Sequence, residues 1–248
     1  SYAGVGSGYR LCAAFNDICD ALFLVWQYHF EMLSLGYAAY LNFHGLVTSA
    51  FPTITDAEII EMLAGSSTVL YRPKEELQRL AIRAIELGID GAISDIQSPV
   101  NRDLSAATGC QDWVDDWTAT AREWFDYSTG TGFYFDDGTW NENRAIPWAL
   151  LKSYIQAARD GSLNLRKIDD IRAARDRTVA RYRALLTSDA DRLAFDQAYV
   201  MALTVAPYLE DHNYYVEHRF HAVFWSSMRQ LGQALCDLSI IEGSTDIF

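Results

Sequence analysis

The sequence predicts an all-α fold: a single multi-helix domain interrupted by one long, aromatic-rich loop. Apolar residues recur every three or four positions through most of the 248 residues, and no run of useful length alternates with the period of two that a half-buried strand needs. Glycine and proline fall where the helical pattern stops. No fixed-period repeat or low-complexity tail divides the chain, and with half its residues apolar it can bury a core that folds without staples.

The first element is the longest. From about Leu11 to Phe51 the sequence is nearly free of breakers, with Val25, Trp26, His29, Leu33, Gly36, Tyr40 and His44 at helical spacing. This reads as one long buried helix, bent near Gly36 and ended by Pro52. Thr55 and Asp56 supply oxygens for the orphan amides of a short helix running through Leu63, and Gly65 closes it. A further helix opens at Arg72-Pro73, carries Leu77, Leu80, Ala81, Ala84 and Leu87 as its apolar stripe, and stops at Gly88.

The stretch from Ile89 to Gly109, with Pro99 inside it, predicts loops and short helices. Trp113, Trp117, Ala121, Trp124 and Phe125 then mark an aromatic helix. Residues 128 to 147 hold three glycines, a proline and four large aromatics, and predict the long loop. Exposed loops usually drop such side chains, so Phe133, Tyr134, Phe135 and Trp140 are expected to pack over something, as a lid or as a cover for the core. Helices resume from Trp148 to Ala158 and from Lys167 to Leu186, the latter a charged, solvated outer surface. Asp189 starts another through Ala206, Pro207 interrupts it, and a last helix runs from about Tyr208 to Leu238.

Composition excludes some functions. A formal net charge of -13 and a pI near 4.7 repel phosphate backbones and anionic lipid, so no nucleic-acid partner is expected. Asp17, Asp20, Gln27, His29 and Glu31 break the apolar N-terminal region well short of a membrane span, so no membrane partner is expected either. Cys12, Cys19, Cys110 and Cys236 are scattered, without zinc spacing, and suit reduced thiols in the core of a cytoplasmic protein. No targeting segment precedes the helical pattern.

Chemistry concentrates in Glu210-Asp211-His212-Asn213-Tyr214-Tyr215-Val216-Glu217-His218-Arg219-Phe220-His221, which holds three of the five histidines. At 100° per residue Glu210, Tyr214, Glu217, His221, Trp225 and Met228 share one stripe, with His218 at its margin and Val216, Phe220, Phe224, Leu231 and Leu235 on the adjacent apolar face. A titratable stripe bordering a buried face suits a pocket wall; a solvated helix shows the same pattern. His29 and His44, on one face of the first helix with Trp26 and Tyr40, are candidates to line the same cavity or to be satisfied core histidines. His218 and His221 with Glu217 are the sharper metal alternative, but the spacing is not His-Glu-x-x-His and no metal site is assigned. Asp115-Asp116 and Asp136-Asp137 read as capping or surface residues. No P-loop, dinucleotide fingerprint or nucleophile elbow is present, and Ser7-Gly8, near Gly4 and Gly6, lacks the context of a phosphate cradle.

Three segments together resemble a known family: Leu41-Asn42-Phe43 with Phe51-Pro52 and Met62-Leu63-Ala64-Gly65; Gly132-Phe133-Tyr134 through Pro147-Trp148; and Glu210-Asp211-His212-Asn213 leading to Ser244-Thr245-Asp246-Ile247-Phe248. They are similar to the central helical region of phosphoenolpyruvate-utilising phosphotransferases, the group of phosphoenolpyruvate synthase, rifampicin phosphotransferase and phenylphosphate synthase-like enzymes. The resemblance implies that residues 1–248 form a substrate-binding domain, a piece or a subunit of a larger phosphotransferase. The ATP-binding and phosphohistidine domains would then be partners, with ATP and magnesium on the former and no cofactor on this chain. The end at Asp246-Ile247-Phe248, where the family would continue, points to further C-terminal sequence.

On that reading the aromatic residues suit a small phenolic acceptor. His212 would be the general base, with Asp211 or Glu217 orienting it, and Trp26, His29, Tyr40, His44, Tyr214, His218 and His221 would contact the substrate. The alternative is a non-catalytic helical scaffold that binds a protein partner through exposed aromatics. A self-sufficient metal-dependent helical enzyme is a third reading.

Overall fold

The computed structural model describes residues 8–99 and 104–248 and is all-α. The helices are α1 (Gly8–Ala50), α2 (Asp56–Leu63), α3 (Arg72–Glu86), α4 (Asp90–Asp95), α5 (Leu104–Thr108), α6 (Gln111–Trp124), α7 (Ala145–Arg159), α8 (Ile168–Leu185), α9 (Asp189–His212) and α10 (His221–Asp237). A π-helical segment, Asn213–Phe220, joins the last two. Among the described residues no helix is long and apolar enough to cross a membrane. The glycines before Gly8, and with them most of the phosphate-cradle question, lie outside the described residues, as do 100–103.

The residues group into two compact units. The first comprises residues up to Trp26, Tyr71–Leu165 and Asn213–Phe248; the second comprises Gln27–Leu70 and Arg166–His212. Helix α1 contributes its opening turns to the first and the remainder to the second.

In the first unit α3 packs against α6 and α7, because its stripe of Leu77, Leu80, Ala81 and Ala84 is fully buried while its Arg and Glu residues stay at the surface. Three indoles fill the space between them. Trp117 meets Trp148 edge to face at 5.1 Å between centroids, and Trp113 lies 6.2 Å from each. Buried indole nitrogens need acceptors, and they find backbone carbonyls: Trp113 donates to Leu80 O within α3 (3.1 Å) and Trp148 to Ile96 O just beyond α4 (3.0 Å). Asp116 is held by Arg83 and Asp115 accepts from Gln111, so this acidic pair is structural.

The second unit is built on Phe43, Val47, Ile59, Met62, Leu186, Phe195, Ala198 and Ala202 from α1, α2, α9 and the end of α8. Thr55 and Glu58 form a reciprocal capping box that starts α2. Beyond α2, Gly65 takes a left-handed φ of +84°, which turns the chain under α8. Arg166, Arg172 and Arg175 then donate to the carbonyls of Ser66, Gly65 and Ala64. The charge run expected to be only a solvated surface is thus also a clamp on backbone carbonyls that would otherwise lack donors.

Four expectations are corrected here. Helix α1 is not buried all round: His29, Gly36, Ala39, Phe43 and Val47 form its buried line in the second unit, whereas Tyr28, Phe30, Leu35, Tyr37 and Leu41 are exposed. Gly36 lies in unbroken helix, and a Cβ there would stand 2.8 Å from the Leu209 side chain, so its smallness admits α9. Pro207 does not interrupt α9, which continues to His212; the winding changes later, at Asn213. The four cysteines are free thiols, and Cys12 is exposed rather than in a core.

Trp148→Ala removes the central ring of the indole cluster and the donor to Ile96, and is expected to cost about 3–5 kcal/mol. Urea unfolding followed by circular dichroism measures the loss.

Candidate functional site

The first unit gathers several aromatic residues of residues 213–221 with partners from elsewhere in the same unit. Asn213–Phe220 is wound as a π-helix, in which each amide reaches back five residues instead of four. The turn is wider, so residues four apart come closer to alignment than on the wheel used for the sequence. Tyr214 and His218 consequently face the same neighbour, Tyr127: His218 stacks on it at 4.4 Å and 18°, and Tyr214 lies 6.1 Å away at 24°. Trp124 closes on Tyr214 at 5.7 Å, and the Arg72 guanidinium stands 6.0 Å over the Trp124 ring. His218, marginal on the ideal wheel, is central here.

Burial governs the electrostatics of this cluster. Tyr214 is 1% exposed, and burial pushes its hydroxyl up to about 12, with Arg219 opposing. Tyr127 is raised for the same reason. Burial, reinforced by the charge of Lys74 and opposed by Asp137, holds the His218 imidazole below its ordinary value. Among the described residues Tyr214 Oη and His218 Nδ1, both buried, have no hydrogen-bond partner. Such atoms cost about 1–3 kcal/mol each and mark places where a polar ligand group gains affinity.

One turn on, His221 is 2% exposed and lies 5.3 Å from both Trp26 and Phe133. Phe133 belongs to the long loop, which spans residues 125–144 because α7 starts at Ala145, three residues earlier than expected. The loop folds as a hairpin-like turn: Ser128 and Thr139 form an isolated antiparallel bridge, and Asp137 accepts from Gly132 N at 2.9 Å. It packs over the π segment and α10. Gly132, at φ +86°, lies against the Glu217 carbonyl so closely that a Cβ would sit 1.8 Å from that oxygen. Trp225 donates to Gly132 O at 3.1 Å, and Arg229 donates to Phe135 O, Asp137 O and Glu142. Burial raises the Glu142 carboxyl, but bonds from Ser226, the Thr139 amide and Arg229 outweigh it and hold it below its usual range.

In the second unit two other predicted residues, His29 and His212, come together. His29 and His212 are 6% and 7% exposed, and their rings lie 5.1 Å apart at 50°. His212 Nδ1 bonds the Leu209 carbonyl one turn back. A carbonyl can only accept, so Nδ1 is the donor in this bond. Asp211, expected as a partner for His212, accepts from Val69 N at 2.7 Å and ties the chain before α3 to the end of α9. Glu217 falls in the π segment and meets Gly132 through its backbone carbonyl.

Tyr40 and His44 are corrected out of any small cavity with His29. At 1.5 Å per residue they stand about 16 and 22 Å further along α1. Tyr40 packs on the Phe43 core, and His44 Nε2 donates to Asp56 at 3.2 Å. Among the described residues His218, His221 and Glu217 do not gather as a metal-ligating group.

Sequence reasoning missed Tyr127 and Trp124 as site residues and found no signal for the π winding. Phe133 was singled out only as a loop aromatic with something to cover. No protein-family model matches the chain, and no curated protein and no solved structure is significantly similar to it. The site therefore rests on its own geometry.

Two outcomes are expected. Gly132→Ala forces a side chain onto a backbone oxygen at a left-handed φ, so it should lower stability by more than about 2 kcal/mol and expose residues 130–138 to limited proteolysis. His218, held below 6.5 in the folded chain, contributes stability that is complete above pH 6.5 and lost as pH falls through its folded value. Unfolding midpoints of the wild type and His218→Phe should accordingly diverge below that pH in favour of the variant, relative to their difference at pH 8.

Proposed function

We propose that this chain is the acceptor-binding part of a phosphotransferase, holding a small phenolic compound while phosphate arrives from a histidine carried on another domain or subunit. ATP and magnesium belong to a third, ATP-binding part that charges that histidine. The observation carrying the proposal is the pair of buried atoms without partners, Tyr214 Oη and His218 Nδ1, set among the rings of Trp124, Tyr127 and Tyr214. Aromatic faces stack a flat ring and the two polar atoms fix its substituent, which is the division of labour of a small-molecule site.

In the transfer step the acceptor oxygen forms its bond to phosphorus as the phosphorus–nitrogen bond of the carrier breaks, and the electron pair returns to the carrier imidazole. The acceptor's proton needs a base. His212, the base expected from the sequence, is proposed for that role, with its Nδ1–H donating to Leu209 O. Asp211 contributes to placing the end of α9 rather than to orienting the imidazole, since its carboxylate is engaged by Val69.

A second reading has one observation behind it. Tyr28, Phe30, Leu35, Tyr37 and Leu41 are all exposed on α1, which suits a scaffold that docks a protein partner.

Tyr214→Phe separates the two. It keeps the ring and deletes an unsatisfied hydroxyl, so stability should hold or rise while affinity for phenols, followed by calorimetry, falls by about tenfold. Equal phenol affinity, or no phenol binding by the wild type, leaves the scaffold reading. In the system reassembled with its phosphohistidine-bearing partner, His212→Ala should reduce transfer to the acceptor by about 10²–10⁴ while histidine autophosphorylation continues. Undiminished transfer would remove His212 from the chemistry.

A further inference from the structure

His29 and His212 are drawn from α1 and α9 and meet inside the second unit with almost no exposure. They are well suited to sharing a cation. The ring nitrogens lie within 4.8 Å of one another, and two imidazole nitrogens on one zinc ion stand about 3–4 Å apart, since each Zn–N bond is about 2.0–2.1 Å. A small rotation of either ring closes the difference.

The surroundings match a ligating histidine in a further respect. Metal-bound imidazoles almost always donate their second nitrogen to a carbonyl or carboxylate, which fixes the tautomer and raises the basicity of the first. His212 already does so through Leu209 O.

We propose that His29 and His212 form a two-imidazole site for a borderline divalent cation of the zinc type, with solvent or an oxygen ligand completing the coordination. Imidazole prefers zinc, copper and nickel over magnesium or calcium, so the hard cations of ATP chemistry do not compete. The site departs from the sequence expectation of no metal and does not rest on the phenol-binding proposal. It bears on the base, because an ion on Nε2 of His212 takes the same lone pair that would accept the acceptor's proton. Zinc is therefore an inhibitor of transfer wherever His212 acts as that base.

The test is calorimetric titration of chelator-treated chain with zinc chloride at pH 7.5 and pH 5.5. It is repeated for His29→Gln, His212→Gln and, as a surface control, His44→Gln, with circular dichroism confirming the helical content of each. The expected result is one zinc per chain at pH 7.5, weaker binding at pH 5.5, and a loss of at least about tenfold in affinity in each of the first two variants but not in the third. X-ray absorption of the zinc-loaded wild type, which needs no variant to fold, should report two imidazole ligands. The proposal is overturned if the wild type takes up no stoichiometric zinc, if both His29→Gln and His212→Gln bind it as well as the wild type, or if fewer than two imidazoles surround the ion. Zinc binding is read without any acceptor present, so failure of phenol binding leaves this result standing, and failure here leaves the phenol site standing.

Discussion

The wide winding of Asn213–Phe220 is the constraint on which the first unit's arrangement of aromatic and titratable groups depends. On an α-helix His218 would stand about 40° to one side of Tyr214 and Glu217 about 60° to the other. The π segment instead stacks His218 with Tyr214's neighbour Tyr127 and turns the Glu217 carbonyl toward Gly132. That close approach is possible because Gly132 has no side chain and because Asp137 accepts its amide. Loop and helix therefore specify each other: the helix leaves a carbonyl at the surface of its wide turn, and the loop brings the residue that fits over it.

Polar groups in this protein are used chiefly to satisfy irregular backbone. Arg229 fastens two loop carbonyls and Glu142 in the first unit. Arg166, Arg172 and Arg175 take three consecutive carbonyls in the second, and Asp211 takes the Val69 amide. An acidic chain with 20 Lys and Arg against 33 Asp and Glu thus commits several of its cations to neutral oxygens. A guanidinium suits this work because its several donors stand in a fixed plane and keep their charge when partly buried.

Against that background the polar atoms left over stand out. Tyr214 Oη and His218 Nδ1 are buried without partners among the described residues, whereas the buried indoles of Trp113 and Trp148 find carbonyls. His29 and His212 differ in kind, being a matched pair with one tautomer already set. The two proposals follow from these two situations, one an aromatic cluster with unmet polar atoms and the other two buried imidazoles held side by side.

Helix identity and most boundaries were legible in the sequence. The stripe of α3, the capped start of α2 at Thr55, the aromatic spacing of α6 and the glycine stops at Gly65 and Gly88 are local features, and local periodicity with capping determines them. The concentration of candidate chemistry in residues 210–221 was legible too, since it is a matter of residue type. What tertiary structure alone decided is which of those groups meet. His29 and His212 are 183 positions apart, and Tyr127 reaches His218 across 91, so no helical period connects them. The π winding and the exposure of half of α1 likewise depend on what packs alongside, because a wheel drawn at 100° per residue assumes the winding and gives a face no neighbour.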